Sequence, residues 1–159
     1  MPELLAASAA ELLAAPLFYL GTGVLTFAAM LGYAYSLDRQ LNPGSVGWIL
    51  YLLVLSVWEE VFFRLAIPYF GQYQPGVDAI PMALPILVIG SNLAFGAIHY
   101  FTLRWKWPWC LVAFIGGMAL SRNLHQHFDL ALIIALHWVA TFINTPRLPG
   151  QSKRSEVGL

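Results

Sequence analysis

The chain has 159 residues, of which 59% are hydrophobic and 10% charged, and its formal net charge is zero. A soluble domain carries about 25% charged residues, so this composition, with a mean hydropathy of +0.69, excludes a water-exposed globule and points to lipid as the surrounding solvent. Zero net charge removes the electrostatic case for nucleic acid, and Cys110, the one cysteine, excludes an intrachain disulfide or a multi-cysteine zinc site.

The N-terminal stretch MPELLAASAAELL holds Glu3 and Glu11 but no basic residue. A secretory signal peptide opens on a basic region, so the first apolar segment is expected to be a retained span. A transmembrane helix needs roughly 20 apolar residues. The first candidate covers about 12–36 and ends in a turn at Asp38, Arg39, Asn42, Pro43 and Gly44. The second covers about 46–70 and is followed by a loop over 71–78 containing Pro75-Gly76. The third covers about 80–101, with Pro81 and Pro85 in its first turns, where proline disrupts a helix least. Arg104 and Lys106 come next, set among Trp105, Trp107 and Trp109, a composition that suits the headgroup layer. A fourth, shorter segment runs over about 109–122. A linker over 123–129 then leads to the fifth, about 130–144.

The expected architecture is all-α: a polytopic transmembrane helix bundle of about five membrane segments. One domain spans 1–145, and a polar tail spans 146–159. With five spans, one side collects Arg39, Arg104, Lys106, Arg147, Lys153 and Arg154, and the other only Arg122. The positive-inside rule then places the C-terminus in the cytoplasm. Internal repeats, a Walker sequence, a Gly-x-Gly-x-x-Gly sequence and a Gly-x-Ser-x-Gly elbow are all absent from the sequence.

The polar residues inside these spans carry the functional signal. Glu59, Glu60 and Arg64 lie in the second span. Three charges at a helix centre cost roughly 7–10 kcal/mol on insertion scales, so they must be paired, hydrated or partly neutralised. Glu60 and Arg64 are four residues apart and share a helical face, which predicts an ion pair. Glu59 points about 100° away from that face, given a helix of 3.6 residues per turn. Asn92, Phe95 and His99 share one face of the third span, and His137, Thr141 and Asn144 one face of the fifth. A Glu and a His can together bind a water and take its proton; they can also ligate a divalent metal. A structural role is the alternative for each: an ion-pair cluster that fixes helix packing, and hydrogen-bonded core histidines. His125 and His127 read as residues of an interfacial loop, and most Trp and Phe side chains as lipid-facing or interfacial.

Taken in order, Glu59-Glu60-Val61-Phe62-Phe63-Arg64, then Phe95-Gly96-Ala97-Ile98-His99, then His137 resemble the three motifs of the CPBP family, the CAAX prenyl-protease and bacteriocin-processing (Abi) membrane proteins. The Gly116-Gly117 stretch before the last histidine helix also fits, and the resemblance covers about residues 46–144. It implies an intramembrane glutamate-dependent endopeptidase that needs no cofactor. Glu59 would activate water with His99, Glu60 would pair with Arg64, and His137 would stabilise the oxyanion. Three departures from the family pattern bear on activity. Thr141 stands where an asparagine is usual, with Asn144 one turn further on. Leu65 stands where a glycine often follows the arginine. The chain is also short. The resemblance therefore implies one of two functions. The first is a peptidase acting on a peptide or protein substrate near the cytoplasmic face. The second is a catalytically inactive accessory or scaffold subunit of a larger membrane complex. Membrane lipids are partners in both.

Overall fold

A computed structural model of the chain describes residues 2–70, 83–127 and 129–148. The predicted loop over 71–78, Pro81 and the tail beyond 148 lie outside the described residues. Helix α1 (Pro2–Ala14) is followed by α2 (Pro16–Asp38) and α3 (Pro43–Glu60), whose winding widens into a π-helical segment (Val61–Phe70). Then come α4 (Ala83–Thr102), α5 (Trp107–His127) and α6 (Leu130–Asn144). Among the described residues there is no strand, and the all-α expectation holds.

Three helical stretches are long and apolar enough to cross a membrane: Pro16–Asp38, Pro43–Tyr69 and Leu84–Thr102. Helix α6 is apolar but has 15 residues. Their outer faces are lined with side chains such as Leu17, Leu25 and Phe101, exposed at 83%, 72% and 77%. A water-soluble surface does not carry apolar exposure on this scale; a lipid-facing one does.

Two boundaries differ from the sequence expectation. The first apolar stretch is broken at Ala15, whose φ of −138° is not helical, and Pro16 then opens α2 at the first helical position. Proline is preorganised for that position and lacks only an N–H that would be orphaned there anyway. Leu12 and Leu13 therefore belong to α1. The second difference is at α5, which continues through Asn123–His127 where a linker was expected. Gly117, Ser121 and Leu124 are buried along it at four- and seven-residue spacing, and Leu124 is sealed against Leu4, Leu65 and Ile133. One apolar anchor in a polar run keeps the helix going. The remaining ends follow local chemistry. Asn42 accepts from the Ser45 N–H at 2.9 Å, and Asp129 accepts from the Leu132 N–H at 2.9 Å, both as N-caps. Arg39 closes α2 in a left-handed conformation, donating its N–H to the Tyr35 carbonyl at 2.7 Å.

The chain divides into two units. One comprises Ala10–Val57 and Ile134–Leu159. Its core joins Met30 and Ala34 of α2, Ile49 and Leu52 of α3, and Trp138 and Phe142 of α6. The indole N–H of Trp138 donates to the Ile49 carbonyl at 2.9 Å, that of Trp48 to the Thr145 carbonyl at 2.8 Å, and Arg147 pairs with Asp38 at 2.9 Å. The other unit comprises Met1–Ala9 and Trp58–Ile133 and contains the π-helical segment, α4 and α5.

The π-helical segment has an identifiable cause. Pro68 lies inside it. In an α-helix the proline ring collides with the carbonyl four residues back, here that of Arg64. Widening to a five-residue hydrogen-bond step relieves the collision. It also makes Phe63 the carbonyl that Pro68, lacking an N–H, leaves without a donor. The Ser91 hydroxyl of α4 donates to that carbonyl, and Ser91 is buried. Ser91→Ala is therefore expected to destabilise the protein by about 1–3 kcal/mol, the cost of a buried unsatisfied group. The loss should shrink in a Pro68→Ala background, which restores an N–H donor. Reversible unfolding in mixed micelles measures both.

Candidate active site

Glu59 and Glu60 are the last residues of α3, at the point where its winding changes. The Glu60 and Arg64 side chains are fully buried, with Arg64 Nε 3.4 Å from Glu60 Oε2 in the expected four-residue pair. Glu59, one position earlier, is half-buried. The two acids thus differ in environment: one is sealed against a cation, and the other keeps partial access to the surface.

The arginine is held from three sides. Its guanidinium carbon lies 4.4 Å from the centroid of the Phe95 ring, a cation–π arrangement. Glu60 approaches Nε. Gly117 of α5 closes the third side, and a Cβ there would come within 2.9 Å of Arg64 Nη2 and would also collide with the Asn92 carboxamide. Asn92 is fully buried and spends its amide group on the Val88 carbonyl at 2.8 Å and Ser121 Oγ at 2.9 Å. Helices α4 and α5 approach closely beside it, because a Cβ on Gly96 would sit 2.8 Å from the Cys110 carbonyl. The second glycine of the Gly116-Gly117 stretch and the glycine after Phe95 are both there for close approach.

Phe95 passes this order on. Its ring meets Phe63 edge-on at 5.3 Å and His99 edge-on at 4.7 Å. His99 is buried, and its Nδ1 lies 2.7 Å from the Phe95 carbonyl. A carbonyl can only accept, so Nδ1 carries the proton and Nε2 of the neutral ring is the acceptor. On the shared face of Asn92, Phe95 and His99, the Phe95 ring and the imidazole are in contact. On its other side His99 meets the Trp105 ring at 4.7 Å. Trp105 is half-buried.

In the other unit, His137 is buried on α6 beside Trp138. Thr141 is half-buried, and Asn144 is exposed, donating to the Ala140 carbonyl of its own helix at 2.8 Å. The three share a helical face but not an environment.

His125 and His127 sit in the last turn of α5 rather than in a loop. His125 Nδ1 lies 3.3 Å from the Tyr69 hydroxyl, which ties the end of α5 to the π-helical segment. Among the aromatic side chains, Phe63, Phe95, Trp138 and Phe142 are core residues, whereas Trp58, Phe62 and Phe101 are exposed. Among the described residues, no three His, Cys, Asp or Glu side chains come together as a metal-ligand set.

The Glu-Glu-x-x-x-Arg and Phe-x-x-x-His elements on adjacent apolar helices define a CPBP-type membrane protein of the intramembrane protease class. In agreement, the family model for type II CAAX prenyl endopeptidase Rce1-like proteins matches residues 41–143, and the chain belongs to that family. The match includes Glu59, Glu60, Arg64, His99, His137 and Thr141 and ends one residue before Asn144. No curated protein and no solved structure matches the chain.

The role of Gly117 is open to direct test. Gly117→Ala should cost about 1–3 kcal/mol through overpacking. Gly116→Ala, with open space around the new methyl group, should be neutral or slightly stabilising. Thermal unfolding of the two variants in detergent makes the comparison.

Proposed function

We propose that this protein is an intramembrane endopeptidase in which Glu59 activates the water that hydrolyses a peptide bond. The observation that carries this reading is the state of His99. Its Nδ1–H is committed to the Phe95 carbonyl, which leaves Nε2 to accept a hydrogen bond from water. A half-buried carboxylate on the neighbouring helix of the same unit is the matching base. In the proposed reaction the water oxygen attacks the scissile carbonyl carbon, and its proton passes to the Glu59 carboxylate while His99 Nε2 orients the water. The family resemblance assigns stabilisation of the oxyanion of the tetrahedral intermediate to His137. Collapse of that intermediate breaks the carbon–nitrogen bond, and Glu59 returns the proton to the departing amine. Glu60 and Arg64 hold the helix end that presents Glu59. No step requires a cofactor.

The substrate class follows from where these groups lie. They sit on apolar helices, so the peptide is presented from the membrane. The charge bias of Arg39, Arg104, Lys106, Arg147, Lys153 and Arg154 against Arg122 supports a cytoplasmic C-terminus and cleavage near that face, in a chain with about five membrane segments. A C-terminal alkaline phosphatase fusion, which needs export to work, should accordingly be inactive.

One observation favours the alternative of a non-catalytic accessory subunit: Thr141 replaces the usual asparagine, and Asn144 turns its amide to its own helix. Stoichiometric comigration with a large complex in mild detergent, without peptidase activity, would support that alternative.

Glu59→Gln is expected to lower processing by about 100- to 10,000-fold, the range of a lost general base, with an unchanged unfolding temperature. Thr141→Asn should raise turnover by as much as about 100-fold by restoring the carboxamide donor usual at that position in the family. Full processing by Glu59→Gln would overturn the enzymatic reading.

A further inference from the structure

The α4–α5 connection contains three tryptophans in five residues, and one of them differs from the others. Trp107 and Trp109 are 70% and 57% exposed, as interfacial anchors are. Trp105 is half-buried, and its indole lies against the His99 imidazole, centroids 4.7 Å apart and planes tilted by 42°. The backbone puts it there. Arg104 adopts a left-handed conformation with φ 53°, which side chains other than glycine rarely occupy. That residue reverses the chain after α4, so that the Trp105 N–H reaches the His99 carbonyl at 3.3 Å, alongside the Leu103 N–H at 3.1 Å. The Cys110 thiol donates back to the Trp105 carbonyl at 3.8 Å. The His99 ring is therefore held between two aromatics, Phe95 from its own helix and Trp105 from the loop.

We propose that Trp105 is a positioning residue for His99: the left-handed turn at Arg104 delivers an indole that locks the imidazole in the orientation presenting Nε2. This rests on the reading of His99 as the water-orienting residue. One aromatic neighbour and one hydrogen bond leave a ring free to swing about its outer torsion, and a second aromatic face removes that freedom. Misplacement of a reacting group by about 1 Å can cost about 100-fold in rate, so a loop residue that touches no substrate can still set kcat.

The test is nitrogen NMR of the full chain in bilayers, labelled at histidine, with the His99 signals assigned by their loss in His99→Gln. The native protein should show one protonated nitrogen at Nδ1 and one unprotonated at Nε2. Trp105→Leu should broaden these signals or split them between tautomers while the His137 signals stay in place. Trp105→Phe, which keeps a ring, should retain them. Arg104→Gly, which tolerates the left-handed turn, should also retain them, and Arg104→Val should not. With a substrate, Trp105→Leu should lower kcat about 10- to 100-fold with little change in KM. Unchanged His99 signals in Trp105→Leu would overturn the proposal. Should Trp105→Leu fail to fold, native-like signals in Arg104→Val would overturn it equally. Signals disordered by Trp105→Leu, together with wild-type processing by His99→Gln, would leave the aromatic clamp standing and remove the catalytic reading beneath it.

Discussion

The site is organised around a buried ion pair. The Glu60 and Arg64 side chains are sealed from solvent, with Arg64 Nε 3.4 Å from Glu60 Oε2. Taking two charges out of water costs several kcal/mol per ion, which the attraction between them repays only where the surroundings help. The guanidinium finds further stabilisation on the Phe95 face, in a space that exists because Gly117 has no side chain. The pair therefore binds the end of α3 to α4 and α5 at once. It does so by demand: each charge, once buried, is tolerated only where the other elements close around it.

The π-helical segment belongs to the same device. Arg64 lies in it, four residues before Pro68. The proline removes a hydrogen bond and forces the wider winding, and Ser91 of α4 supplies the missing donor at Phe63. Two adjacent carbonyl and side-chain problems, one steric and one electrostatic, are both resolved by α4. The residues that resolve them, Ser91, Asn92 and Phe95, lie on the same helix as His99, within roughly two and a quarter turns of it. Packing that stabilises the motif helix thereby also fixes the histidine, and Phe95 is the shared element.

Much of this was legible in the sequence. The four-residue spacing of Glu60 and Arg64 predicted their pairing, and the spacing of Asn92, Phe95 and His99 predicted a common face. The fifth apolar segment matches α6, Leu130–Asn144, and Asp129 caps it. What escaped notice depended on contacts between distant residues. The second span reads as one regular helix with Pro68 inside it; the wider winding also involves Ser91, twenty-three residues away. The polar run 123–127 resembles a linker until Leu124 is seen to fill a gap beside Leu65 and Ile133. Trp105 is indistinguishable by composition from Trp107 and Trp109; only the left-handed turn at Arg104, which no local signal announces, sets it apart. Gly117 stands out in the sequence as part of a glycine pair, but its partners Arg64 and Asn92 come from two other elements.

The dependence of the structure on the buried pair can be measured by a double-mutant cycle on Glu60 and Arg64. The variants are Glu60→Gln, Arg64→Met and the combination, with unfolding free energies taken in one lipid environment. Removing either partner alone strands the other charge in the interior and should cost about 3–5 kcal/mol. Removing both should cost less than either single change, giving a coupling well above the roughly 0.3–0.5 kcal/mol within which independent sites add. Additive losses would contradict the view that this pair is what the surrounding helices are packed to enclose.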